Sequence, residues 1–333
     1  MRRKAFLLIG KIVLSGVLAL TVLTVFCYFY SNPPVHYSDP DGATDYRWEP
    51  NKFRSEATEG FSWGRTNNEG YYNIADYNIE DDIDLLIMGS SQMEASNVAV
   101  EDSTASVLSS MLSNETVYNI GTSGHTFLTC ANNLEKALEK YKPTRFVVIE
   151  TNRLTFSDDE LQQAIDGTVP EILSHTGGLV GLLQKNPFLR HIYHQMKNYL
   201  NKGQENDDVQ AQETVAVKMP DDGELLQLLL EKIHSIAMNA NTDAIIFYTP
   251  GIKVASDGAL NMAGGAKLSQ FRNACEASGI YFLDMSDRFL REYEESYTLP
   301  YGFANTSVGT GHLNKYGHAM IADELYKLLS EVA

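Results

Sequence analysis

A chain of 333 residues with 44% hydrophobic and 21% charged content can bury a full core, which excludes wholesale disorder and leaves room for one large domain plus an anchor. A formal net charge of −17 argues against nucleic acid, or an anionic membrane surface, as the main partner. Three cysteines are too few for a disulfide framework; Cys27 falls in an apolar stretch, and Cys130 and Cys275 are either a pair or two free thiols.

The first element is the apolar run itself. From Ile12 to Tyr30 there are 19 residues without a charge, enough to cross a bilayer core as a helix at about 1.5 Å per residue. Arg2, Arg3, Lys4 and Lys11 precede the run, and Ser31 to Tyr37 contain no Lys or Arg. The positive-inside rule then predicts a cytoplasmic N-terminus and an extracytoplasmic remainder: a single-pass protein of the cell membrane. The rival, a cleaved signal peptide, lacks a small-x-small site, and Phe26 before Cys27 does not suit a lipoprotein signal. The expected organisation is a tail and anchor over 1–31, a juxtamembrane segment over 32–80 and a main domain over 81–333. The juxtamembrane segment opens on Pro33-Pro34, and its aromatic residues (Trp48, Phe53, Phe61, Trp63, Tyr71, Tyr72, Tyr77) predict packing on the main domain rather than a disordered linker.

From residue 83 onward, short apolar runs alternate with helical spacing. Strands are predicted at Ile83 to Met88, Val117 to Ile120, Arg145 to Glu150, Ala244 to Tyr248 and Ile280 to Leu283. Helices are predicted at Val100 to Leu112, Leu128 to Tyr141, Glu224 to Met238, Ala266 to Ala277 and Lys315 to Leu329. Buried strands joined by helical crossovers imply an α/β domain with a parallel sheet of five strands, preceded by the transmembrane helix. Residues 154–222 break the rhythm and read as an insertion, with a helical piece from Leu179 to Leu200 and a polar stretch from Asn201 to Thr214.

Reactive groups in an open parallel sheet collect beyond the C-terminal ends of its strands. There the chain places Gly89-Ser90-Ser91-Gln92, then Gly121-Thr-Ser-Gly124-His, then Glu150-Thr-Asn152-Arg153; Gly309-Thr-Gly311-His312 precedes the last helix. In this order the blocks resemble those of the SGNH/GDSL hydrolase superfamily, over about residues 80–333 without the insertion. The resemblance implies a flavodoxin-like three-layer α/β/α fold around the five-stranded parallel sheet, with Ser91 as nucleophile, His312 as its base, and an oxyanion hole from the Ser91 N–H, the Gly124 N–H and the Asn152 amide. The chemistry suits these residue types, because a serine hydroxyl needs a base of near-neutral pKa and its tetrahedral intermediate needs donors aimed at the oxyanion. The rival for Ser91 is a helix N-cap, for Gly124 a turn glycine, for Asn152 a loop cap and for His312 a surface histidine. His318, His191 and His194 are read as structural or solvated, and a zinc site on His312 and His318 lacks a third ligand at a recognisable spacing. No metal and no cofactor are expected.

The chain also departs from the family pattern. Ser90 stands where the family has Asp, Glu150 and Arg153 replace the usual flanks of the Asn, and Gly309 stands where an Asp normally orients the histidine. A backbone carbonyl, Asn305, Thr310 or Asp284 is a candidate to replace that orienter, and of these a neutral acceptor rather than a carboxylate is expected to hold His312; Arg153 is a candidate for an anionic group on the substrate or for a surface salt bridge. The resulting expectation is a serine esterase or O-acyltransferase acting outside the membrane on acyl esters, acetyl above all, of cell-surface glycans, with a multi-spanning membrane acyltransferase as a candidate partner. The alternative is a catalytically silent domain of the same fold that binds glycan or scaffolds a surface-polymer assembly complex.

Overall fold

The computed structural model describes residues 2–39, 42–113, 115–170, 181, 185–201, 223–262 and 265–332. It opens with helix α1 (Arg2–Tyr30), long and apolar enough to span a membrane, its apolar side chains exposed. Two antiparallel hairpins follow, β1 (His36–Ser38) with β2 (Tyr46–Trp48), and β3 (Phe53–Glu56) with β4 (Ser62–Arg65). The main sheet begins at β5 (Leu85–Met88), which runs into the short α2 (Ser91–Glu94) and then α3 (Thr104–Met111). Next come β6 (Val117–Asn119), α4 (Phe127–Tyr141) and β7 (Phe146–Thr151). The insertion contributes α5 (Asp158–Asp166) and α6 (Pro187–Asn201). The chain re-enters the sheet through α7 (Glu224–Asn239) and β8 (Asp243–Tyr248), makes a small hairpin of β9 (Ile252–Val254) and β10 (Leu260–Met262), and ends with α8 (Leu268–Ala277), β11 (Tyr281–Asp284), α9 (Ser286–Ser296) and α10 (Lys315–Glu331).

Five parallel strands form the sheet in the order β11-β8-β7-β5-β6. Numbered by chain order this is 2-1-3-4-5, the flavodoxin-like arrangement, with its topological switch point between β5 and β7. Strand side chains alternate between two faces, and both faces are covered, so the strands read as unbroken apolar runs. Leu86, Met88, Val147, Ile149 and Ile246 pack beneath α4, α5, α7 and α8. Leu85, Ile87, Val148, Ile245 and Phe247 pack beneath α3, α9 and α10. This is the expected three-layer fold.

Most of the differences from the predicted elements are local. The helix expected from Val100 starts as a 3-10 turn over Val100–Asp102, because Ser103 adopts an extended backbone and its side chain caps Ser106. The helix expected from Ala266 likewise begins as a 3-10 turn. Cys130 and Cys275 are both buried free thiols rather than a pair, and burial pushes both above the ordinary thiol range. Of the helical piece expected from Leu179, the described part is α6; the polar stretch beyond Asn201 lies outside the described residues.

Residues 32–80 supply a cover for the edge strand β6. Asn73 receives the Asn119 N–H at 3.0 Å and donates to the Asn119 carbonyl at 2.8 Å, occupying groups an edge strand would leave open. Asn67 donates to the Tyr118 hydroxyl at 2.8 Å, and the rings of Tyr71, Tyr77, Tyr118 and Tyr141 pack together.

The core beneath α4 sets the stability of this layer. Leu134 is fully buried there, so Leu134→Ala is expected to cost about 2–5 kcal/mol. Urea unfolding of the detergent-solubilised chain checks this; a change below about 1 kcal/mol would mean the layer collapses to fill the void.

Candidate active site

Strand β5 delivers the chain to the switch point and stops at Gly89. No side chain fits at that position, since a Cβ there would meet Met93 and the Glu150 side chain. Ser90 then caps α2: its backbone is extended and its hydroxyl accepts the Gln92 N–H at 3.1 Å. The N-cap role considered for Ser91 thus belongs to its neighbour, and Ser91 is the first residue of the helix. Among the described residues neither the Ser91 N–H nor the Gly124 N–H has an acceptor.

The Ser91 hydroxyl lies 3.0 Å from His312 Nε2. On the other side of the ring, Nδ1 lies 2.7 Å from Glu59 Oε2, and the His312 backbone N–H donates to Glu59 Oε1 at 2.8 Å. One carboxylate therefore holds both the ring and the main chain of the histidine. This overturns the expectation of a neutral acceptor. Asn305, Thr310 and Asp284 do not take that place: Thr310 faces the Ser307 carbonyl at 3.5 Å, and Asp284 pairs with Arg272 at 3.0 Å. Asn305 acts one step back, accepting the Gly60 N–H at 3.0 Å and donating to the carbonyls of Ala57 and Gly60, which holds the loop that carries Glu59. Asn97 donates to the Glu59 carbonyl at 2.9 Å from the opposite side.

The glycines before His312 explain why no acid sits there. Gly309 and Gly311 both have positive φ, +86° and +85°, a region costly for a residue with a Cβ. A Cβ on Gly311 would also strike the Glu59 carboxylate. The loop has been shaped to admit an acid from elsewhere. Gln92 fixes its other flank, accepting the Leu313 N–H at 2.7 Å and donating to the Gly311 carbonyl at 3.3 Å.

Electrostatics follow the geometry. For Glu59, burial raises the carboxyl, but the ring and backbone bonds from His312 outweigh it, and the net effect is a carboxylate below its ordinary range. For His312, burial disfavours the imidazolium, but the hydrogen bond and charge of Glu59 outweigh it, and the ring sits above the ordinary histidine value. His318 is different. It is fully buried, bonded to Thr104 Oγ1 at 2.9 Å, and burial lowers it to about 3, so it is a neutral core group.

The oxyanion candidates occupy neighbouring strand ends. Gly124, with φ +86°, lies in the turn after β6. That turn is pinned from below by Glu94 Oε2, which accepts the Ser123 N–H at 2.7 Å, and by Asn119, which donates to the Met93 carbonyl at 2.7 Å. Gly121 lets it approach, since a Cβ there would meet the Met93–Glu94 backbone. Asn152 follows the last residue of β7 and is exposed, with no hydrogen-bond partner among the described residues. Arg153 makes an ion pair with Glu160 at 2.7 Å and lies over the Phe156 ring, the surface arrangement of the two considered for it.

Two functional groups went unread in the sequence. Glu59 stands in a segment of several acids, more than 250 positions from the histidine, and carries no local signature. Glu150 is the second: it is buried at the end of β7, and its Oε2 accepts both the N–H and the hydroxyl of Ser90 at 2.8 Å. Burial pushes this carboxyl above its ordinary range in spite of those bonds. It ties the Ser90–Ser91 turn to the neighbouring strand.

No protein-family model and no curated protein matches the sequence. Solved structures with a similar course of the chain include an acetyl xylan esterase (12% identity, 74% of this chain and 99% of that one, TM-score 0.41). A psychrotrophic esterase from Pseudoalteromonas sp. is 16% identical over 75% of this chain and 98% of its own, with a TM-score of 0.39. A member of the lipolytic G-D-S-L family from Veillonella parvula is 13% identical over 74% and 97%, with a TM-score of 0.40. At likenesses this distant, chemistry is read from the side chains of this chain alone.

If Glu59 sets the tautomer and charge of His312, Glu59→Gln lowers kcat by about 10⁴. The base works only when neutral, so kcat/KM should rise with pH through a value above the ordinary histidine pKa. In Glu59→Gln burial remains without the compensating carboxylate, so the rise moves to lower pH while the plateau falls. A pH–rate profile of the two chains on one soluble ester reads both effects; an unshifted profile would show that Glu59 does not act on the ring.

Proposed function

We propose that this protein is a membrane-anchored serine esterase or O-acyltransferase of the SGNH type, with its catalytic domain on the extracytoplasmic side. The observation that carries the reading is the unbroken line Ser91 Oγ, His312 Nε2, His312 Nδ1, Glu59 Oε2, with gaps of 3.0 and 2.7 Å at its two ends. A serine, an imidazole and a carboxylate in that order can take the serine proton, attack an ester carbonyl and return the proton to the leaving alcohol. The Ser91 and Gly124 N–H groups, with the Asn152 amide, are the donors for the oxyanion. An acyl-enzyme on Ser91 then passes its acyl group to water or to a sugar hydroxyl.

Acyl esters of a cell-surface glycan are the proposed substrates. The anchor keeps the site where such polymers are assembled and where a multi-spanning partner can hand over acyl groups. A silent scaffold has lost its main support, since the acid that seemed to be missing is supplied by Glu59.

A fluorophosphonate probe should label the wild-type chain and not Ser91→Ala, while Ser90→Ala keeps labelling because its hydroxyl faces Glu150. Labelling of Ser91→Ala would remove Ser91 as the nucleophile. With an acetyl ester donor and candidate glycans, mass spectrometry should find acetylated glycan for transfer and free acetate alone for hydrolysis. Protease added to spheroplasts should digest the domain beyond residue 35, and full protection would reverse the topology.

A further inference from the structure

The hairpin that carries the catalytic acid grows out of the membrane-proximal end of α1. Asn32, two residues past the helix, exchanges backbone hydrogen bonds with Ser55 of β3. Ser55 Oγ donates to the Tyr28 carbonyl at 2.9 Å, and Trp63 Nε1 of β4 donates to the Phe29 carbonyl at 2.8 Å. Both bonds use carbonyls of the last helical turn, which have no partner within the helix. The hairpin is thus fixed to the helix rather than tethered to it.

Along the same contact runs a chain of aromatic rings. Tyr28 stacks on Phe53 at 4.9 Å, Phe29 lies 5.7 Å from Trp63, and Trp63 lies 5.5 Å from Phe61. The series starts on the helix and ends on the hairpin in two rings that nothing covers: Trp63 is 51% exposed and Phe61 65%. Large exposed aromatics joined to a membrane span have one natural environment, the headgroup layer, where Trp and aromatic belts collect. The length of the helix agrees. Counted from Lys11, the uncharged 19 residues rise about 28 Å, close to the thickness of the hydrocarbon core, so Tyr28 to Tyr30 emerge at the interface.

We propose that the tip of the β3–β4 hairpin, Phe61 with Trp63, is seated in the interfacial layer of the same bilayer that α1 crosses. Glu59 is two residues from Phe61. The loop that carries Glu59, and with it the line from Glu59 through His312 to Ser91, is therefore held close to the membrane surface. The inference rests on the reading of α1 as an anchor and is independent of the chemistry assigned to Ser91.

The chain has two tryptophans, Trp48 and Trp63, which makes the test direct. Full-length Trp48→Phe, reconstituted in phosphatidylcholine vesicles, leaves Trp63 as the sole emitter. Lipids brominated near the top of the acyl chains should quench it at least twofold, and more strongly than lipids brominated near the chain ends. The complementary Trp63→Phe chain, whose Trp48 stacks on His36 away from the tip, should be quenched far less. Retention of each chain in carbonate-washed vesicles checks the anchor separately. In retained protein, absence of quenching at Trp63, or equal quenching of the two chains, overturns the seating of the hairpin. Loss of ester turnover without loss of quenching would count against the reading of Ser91 and leave the hairpin in place.

Discussion

A single carboxylate determines how the rest of this site must be built. Glu59 accepts both the ring Nδ1 proton and the backbone N–H of His312. A carboxylate taken from water is costly unless its oxygens are refilled by charge-assisted bonds of good geometry. Here each oxygen receives one bond from the same residue, so the ring and the peptide of His312 are oriented together. The requirement propagates outward. The loop before His312 turns through two positive-φ positions, hence Gly309 and Gly311, and a Cβ at Gly311 would strike the carboxylate; the loop around Glu59 must be tied down, hence Asn305 and Asn97.

Ser91 is held by a second arrangement. Glu150 at the end of β7 grips Ser90 by both its N–H and its hydroxyl, and the same hydroxyl caps α2. From the first turn of that helix Gln92 reaches across to bracket His312. The two arrangements meet where Ser91 faces the imidazole and where Gln92 brackets His312. The sheet supplies one half through its switch point, and the juxtamembrane segment supplies the other.

The division also explains what could be read from the sequence. The sheet was legible because doubly covered parallel strands leave short, unbroken apolar runs such as Leu85–Met88 and Ala244 to Tyr248, separated by helical spacing. Ser91 and His312 were legible because they occupy strand and loop ends in a fixed order. The hairpins over residues 36–65 were not, since their strands have only three or four residues and alternate weakly. Helix α9 was missed because Phe289 is its only fully buried side chain. Glu59 could not be found from spacing, since its role comes from a fold-back across most of the chain. The glycine at 309 was read as a loss, whereas its positive φ is a conformation costly for an Asp, and the acid comes from Glu59 instead.

The source of that acid makes the stretch before the sheet part of the site as well as part of the fold. A chain trimmed to begin at β5 would keep Ser91 and His312 but lose Ala43 and Tyr71 from its core. It would carry no third member of the line, because Glu59 belongs to the stretch between α1 and the sheet. A domain of this kind cannot be transplanted as a free-standing cassette. Moving the sheet and its helices alone would leave Ser91 and His312 without Glu59, so the β3–β4 hairpin and the sheet form one site.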